Sequence, residues 1–152
     1  MTNEDLGIVD ALAQLSFLVW GTVAKKAAEH DLSMIQTRLL GVLRDREPSM
    51  NQLATLLALD KSSVTGLVDR AERRGLVTRT VSTEDRRAFR VALTDNGRAL
   101  VAGVADEFRK EVDIMLTDLS EAERSELSSL ASRVVRASAA RMGVDLPAAQ
   151  PL

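Results

Sequence analysis

The 152-residue chain contains no cysteine and a single histidine, His30. Without thiols there can be no disulfide framework, no thiol redox switch and no thiolate metal site. One imidazole alone excludes Cys–His catalysis and multi-histidine zinc sites. No glycine-rich phosphate loop is present, and the acids are dispersed without a catalytic spacing. No uninterrupted apolar run approaches the ~18 residues that span a bilayer. Residues 1–5 are acidic and lack the basic n-region of a signal peptide. These absences predict a cytoplasmic chain that is not an enzyme, uses no cofactor or metal and has no membrane partner.

What is present suits a soluble globular domain, with 45% apolar residues for a core and 28% charged residues for a surface. The length fits one compact domain, or one domain with an appended dimerisation element. The net charge of −2 conceals a strong asymmetry. Residues 61–90 hold eight cations (Lys61, Arg70, Arg73, Arg74, Arg79, Arg86, Arg87, Arg90) and four anions (Asp69, Glu72, Glu84, Asp85), a local balance of +4. The rest of the chain carries twelve cations and eighteen anions, a balance of −6. A weakly acidic body with one basic sector offers phosphate a single face.

The punctuation is helical. Ser33 with Gln36, Ser49 with Gln52, and Ser120 with Glu123 are capping-box patterns, each opening an apolar-periodic segment. Asp60 and Thr94 suit N-caps, and Gly75 suits the residue that ends a helix. Helices are therefore expected at about 4–30, 33–46, 50–57, 61–74, 95–117 and 121–142. The first is apolar nearly all round, with Ile8, Leu12, Leu15, Val19 and Val23 in one stripe and Val9, Phe17, Trp20 and Ala24 on other faces. Such a helix requires a second burial partner. Residues 76–81 and 88–93 change to β-prone runs around the polar turn Ser82–Arg87, which reads as a hairpin.

A short helix, a three-residue turn, a longer helix and a hairpin make a winged helix-turn-helix. The fold class is mainly α with a small β-wing, the terminal helices forming a dimerisation region. On the fourth helix Val64, Leu67, Val68 and Ala71 point inward, while Ser62, Gly66, Asp69 and Arg73 point outward, flanked by Ser63, Thr65 and Arg70. A helix of this width fits the major groove, where small hydroxyls and arginines reach phosphates and base edges. Lys61-Ser62-Ser63 places a cation, two hydroxyls and free backbone N–H groups at the positive end of the helix dipole, as a phosphate seat. Ser49 and Asn51, opening the third helix, complete the expected DNA contacts on the helix-turn-helix. Arg86 and Arg87 at the hairpin tip suit an adjacent minor groove. Asp85 is assigned to bracing the wing through a nearby arginine.

Residues 32–100 resemble the MarR family of bacterial transcriptional regulators. The resemblance is carried by Ser49-Met-Asn-Gln-Leu-Ala54, Ser62-Ser-Val-Thr-Gly-Leu-Val-Asp-Arg70, Glu72-Arg-Arg-Gly-Leu-Val-Thr-Arg79, Asp85-Arg-Arg87 and Val91-Ala-Leu-Thr-Asp-Asn-Gly97. It implies an obligate homodimer on a near-palindromic double-stranded DNA operator, with release or modulation by a small-molecule effector. It also makes Arg87 the minor-groove arginine and Asp85 its brace. Four positions depart from the family pattern: Ser82-Thr83 where Asp-Pro is common, Ala71 for a usual leucine, and Gly66 where a large residue is frequent.

By the same resemblance, 1–31 and 95–143 form the dimerisation helices, 32–94 the DNA-binding region and 144–152 a loose tail. An effector pocket would lie between dimerisation helices and winged region, with Trp20, His30, Met34 and Arg38 as candidates. Trp20 would stack an aromatic ligand and Arg38 would pair a carboxylate or phenolate. The expected function is a ligand-tunable repressor. The alternatives are a winged-helix protein-interaction module and a sequence-tolerant architectural DNA binder.

Overall fold

The computed structural model describes residues 5–144. Six helices and one hairpin follow in the order α1 (Ile8–Glu29), α2 (Met34–Leu43), α3 (Met50–Leu57), α4 (Lys61–Arg73), β1 (Val77–Val81), β2 (Phe89–Leu93), α5 (Asp95–Met115) and α6 (Glu121–Arg141). Most of the expected tail, residues 145–152, lies outside the described residues.

The local signals set most of these boundaries. All three capping boxes close in both directions: at Ser49, the hydroxyl accepts the Gln52 N–H at 3.2 Å and the Gln52 carbonyl oxygen accepts the Ser49 N–H at 2.9 Å. Two helices are shorter than the periodicity suggests. α1 begins at Ile8 because Gly7, at φ 74°, turns the backbone out of the helical region. α2 stops at Leu43, after which Arg44 pairs with Asp45 and the chain approaches Pro48, which disfavours helix in the residue before it.

The core is the meeting of α2, α3, α4 and the hairpin. Leu39, Leu53, Leu57, Leu67, Val64, Val68, Val77 and Val91 are its largest fully buried side chains, and Ala71 is also buried there. β1 and β2 pair antiparallel with Val77 opposite Leu93 and Val81 opposite Phe89. The free edge of β2 is partly covered: Val91 N–H donates to the Pro48 carbonyl at 2.9 Å, and Ser49 bridges Arg90. The start of α3 therefore joins the sheet.

Gly97 seats α5 on this unit. A Cβ there would lie 2.0 Å from the Leu76 carbonyl oxygen, so only glycine lets the helix approach so closely. Thr94 locks the joint by donating its hydroxyl to the Gly75 carbonyl at 2.5 Å while accepting the Gly97 N–H at 3.0 Å.

The terminal helices are different. α5 packs on α1, but α6 has no buried residue, and Leu130, Val134 and Val135 lie exposed on it. On α1 only Ala27 is fully buried, whereas Ile8, Val9 and Phe17 are 73%, 76% and 71% exposed. The expectation drawn from unbroken apolar runs is corrected by this helix. Judged by average apolarity, the 22-residue α1 is long and apolar enough to cross a membrane. Its isolated polar residues interrupt the run without lowering the average enough to exclude that length.

Candidate nucleic-acid interface

α4 is positioned by its inward residues Val64, Leu67, Val68 and Ala71, all buried. Its outward face forms one wall of a shallow recess of about 630 Å³ lined by Met50, Lys61, Ser62, Thr65, Gly66 and Asp69. Asn51 is exposed at the start of α3, while Ser49 is half-buried and committed to its capping box. Arg70 and Arg73 are exposed on the last turns of α4, and the Arg73 Nε lies 3.4 Å from the Asp69 carbonyl oxygen. The structure thus brings together five of the expected contacts in one recess, with Asn51, Arg70 and Arg73 accessible on the same two helices.

The N-terminus of α4 departs from the expected phosphate seat. Asp60 caps the helix: its carboxylate accepts the Ser63 N–H at 2.9 Å, the Ser62 hydroxyl at 2.6 Å and the Ser63 hydroxyl at 2.7 Å. These donors, the Ser62 hydroxyl foremost, hold the Asp60 carboxyl well below the usual carboxylate range. The Ser63 N–H is therefore not free, and a fixed anion already occupies the positive end of the helix dipole. Lys61 stays exposed and supplies the opposite charge. Thr65 donates its hydroxyl to the Lys61 carbonyl at 2.8 Å.

Asp69 also has a role that its outward position conceals. Arg79 of β1 reaches across to it, Nη2 to Oδ1 at 2.5 Å, and donates through Nη1 to Glu72. The hydrogen bond to Asp69 and the neighbouring negative charge of Glu72 raise the Arg79 pKa. Two carboxylates one helical turn apart thereby grip one guanidinium and fix the hairpin to the recognition helix. Gly66 is less constrained. A Cβ there would meet only the Nη1 of Arg70 at 3.3 Å, the far end of a flexible side chain.

In the wing, Arg86 and Arg87 are exposed. Asp85 holds the turn, but by a different bond from the one expected: its carboxylate accepts the Arg87 backbone N–H at 2.9 Å, and its carbonyl accepts the Ala88 N–H at 3.0 Å. A carboxylate two residues upstream of an N–H closes an Asx-type turn without a guanidinium. Ser82 is buried, and its hydroxyl accepts the Glu84 and Asp85 N–H groups at 3.2 and 3.5 Å. A serine thus orders the first half of the loop. Arg79 and Ser82 were absent from the expected site, and only the apolar–polar alternation of the hairpin hinted at Arg79.

The effector candidates are spread over α1, its C-cap and α2. Trp20 is 47% exposed on α1, and Arg38 is exposed on α2. Met34 is half-buried in the first turn of α2, and the His30 Nε2 lies 3.2 Å from a carboxylate oxygen of Glu107 on α5. An apolar cavity of about 130 Å³ does open between α1, α2 and α5, lined by residues that include Val23, Leu32, Leu40, Val104 and Phe108. None of the four candidates lines it.

A recognition helix braced to a two-stranded wing defines a winged helix-turn-helix protein of the DNA-binding class. A family model described as MarR family matches residues 30–88. The regulator PecS of Dickeya dadantii (strain 3937) is 30% identical over 135 residues, covering 86% of this chain and 81% of PecS. The chain belongs to the MarR family: it is a DNA-binding transcriptional regulator and not an enzyme. Solved structures share the fold. The crystal structure of MarR matches with a TM-score of 0.75 at 19% identity, covering 94% of this chain and 98% of that one. A single-substitution mutant of S. aureus MepR bound to an oligodeoxyribonucleotide matches at 0.62 and 21% identity, with coverages of 88% and 99%. NadR in complex with 4-hydroxyphenylacetate matches at 0.68 and 21% identity, with coverages of 88% and 96%.

Proposed function

We propose that the chain works as a cytoplasmic homodimeric repressor that binds a near-palindromic operator sequence-specifically and is modulated by a small aromatic or phenolic effector. The observation that carries this reading is the contrast between a closed winged unit and the bare apolar faces of α1 and α6. A second copy of the chain is the partner that covers them, rather than a bilayer. Residues 1–31 and 95–143 then form the dimerisation region and 32–94 the DNA-binding region. Pairing places two copies of α4 about 34 Å apart, one helical turn of DNA.

In this reading Asn51, Lys61, Ser62, Thr65, Gly66, Arg70 and Arg73 face the major groove and its phosphates. Ser49, Ser63 and Asp69 act through the caps and braces they join, Arg86 and Arg87 enter the minor groove, and Asp85 shapes their turn. MepR with an oligonucleotide supports the DNA contact, and NadR with 4-hydroxyphenylacetate supports a phenolic effector. The effector would enter between α1, α2 and α5 at the apolar cavity, with Trp20, His30, Met34 and Arg38 as candidate contacts outside the cavity's own lining.

The test combines sedimentation with a salt-titrated mobility shift on the promoter of the chain's own gene. The expected result is a dimer that prefers this duplex over a random one by about 10³-fold or more. A stable dimer with no duplex affinity would make the winged unit a protein-interaction module. Equal affinity for both duplexes would make it an architectural binder. A thermal-shift screen with phenolic compounds tests the effector, and no shift with any of them would remove it.

A further inference from the structure

Arg74 belongs to the basic sector, yet its guanidinium is committed to the frame of the molecule. It is the C-cap of α4, and it donates Nη1 to the Asp31 carbonyl at 2.8 Å and Nη2 to the His30 carbonyl at 3.2 Å. Those two carbonyls belong to the corner between α1 and α2. His30 is the C-cap of α1, and Asp31 sits at φ 56°, a left-handed conformation that turns the chain toward α2. The same corner is also tied to α5 by the His30 imidazole, 3.2 Å from Glu107.

We infer that Arg74 is a positioning residue, setting the recognition helix against α1 and thereby the separation of the two half-sites that the regulator accepts. The inference rests on the dimeric reading above, in which α1 joins the two copies. A planar guanidinium with two donors on successive carbonyls fixes an angle as well as a distance, whereas an ammonium fixes only a point. Carbonyls at the C-terminal end of α1 also carry the negative end of its dipole, which favours a cation there. Among the described residues, Arg70 and Arg73 on the last turn of α4 donate no hydrogen bond to the corner between α1 and α2, and they remain for DNA.

The experiment uses duplexes selected from a random pool by the unmodified full-length protein, and versions with one base pair inserted between the half-sites. Anisotropy titrations across a salt series compare the unmodified chain with Arg74→Ala and Arg74→Lys. Both variants are expected to bind the selected duplex about tenfold more weakly, to keep the salt slope, and to lose most of the discrimination against the inserted base pair. Rescue of affinity by lysine, or a slope lowered by about 1 in the alanine variant, would make Arg74 a phosphate contact and overturn the inference. Unchanged affinity and spacing preference would overturn it as well. The lysine variant preserves charge and most of the packing, so it decides the matter even where alanine unfolds. Failure of the unmodified protein to select any duplex would strike instead at the regulator reading.

Discussion

The winged unit and the terminal helices solve opposite problems. In the first, α2, α3, α4 and the hairpin bury Leu39, Leu53, Leu67 and Val91 against one another, and its polar links (Arg79 to Asp69 and Glu72, Asp60 to Ser62 and Ser63) close within the chain. In the second, α6 has no fully buried residue, and the first half of α1 leaves Ile8, Val9 and Phe17 uncovered. Both regions are mainly helical, and the side-chain caps of α5 and α6 match those of α2, α3 and α4, whereas α1 starts at Gly7 with no side-chain cap. The difference lies in apolar area left without a partner within one chain, so stability in one region is intrinsic and, in the dimer proposed above, stability in the other would depend on assembly.

The sharpest way to break this contrast is to make the open face polar. Val9→Lys with Phe17→Glu should yield a monomer by sedimentation and weaken operator binding by about 10²-fold or more, since two linked recognition helices become one. Urea unfolding of the winged unit should be little changed, and a large loss there would mean that the two regions fold as one. Next in size is Gly97→Ala, which drives a methyl into the Leu76 carbonyl and should cost about 2 kcal/mol in chemical denaturation. A loss under about 0.5 kcal/mol would show that α5 can lift from the wing base without penalty.

Arg87→Ala tests the wing alone. Its affinity loss should be of similar size on every duplex, with the salt slope falling by about 1, and an unchanged slope would take the wing out of DNA binding. The smallest effects concern α4. Gly66→Ala should stabilise the protein by about 1 kcal/mol in thermal melts, because the added methyl meets only the flexible end of Arg70. Asp60 should make stability pH-dependent. Its folded pKa lies below the ordinary value of 3.8, so its contribution is fully present above about pH 4 and is lost as pH falls through the folded value. Asp60→Asn should flatten that acid limb, and an unaltered limb would mean that the cap does not stabilise the carboxylate.

The fold was legible in the sequence wherever the cause was local. Ser33, Ser49, Asp60, Thr94 and Ser120 announce helix starts within three residues of themselves, and the alternation of Phe89, Val91 and Leu93 announces a strand. The stripes of α1 and α6 likewise declared surface that one copy leaves bare. What stayed hidden is long-range. Arg74 and Asp31 are 43 residues apart, as are Arg90 and Glu47, and His30 lies 77 residues from Glu107. Such pairings depend on how helices cross, which no spacing encodes. Asp69 shows the consequence: its wheel position is outward, but Arg79 claims it from another element. Asp85 was assigned a bracing role, yet its bond proved to be to a backbone N–H, which every residue type but proline offers equally.

Because Gly97 lets α5 rest directly on Leu76, the hairpin and a 21-residue helix meet at a joint with almost no clearance. At 1.5 Å per residue that helix is a lever roughly 30 Å long. A tilt of about 5° at the wing then corresponds to about 2.6 Å of travel at the far end of a helix of this pitch. A molecule wedged among α1, α2 and α5 would therefore not need to touch the DNA-facing residues to shift them. In the ligand-modulated regulator proposed above, the missing methyl of one glycine would be the fulcrum.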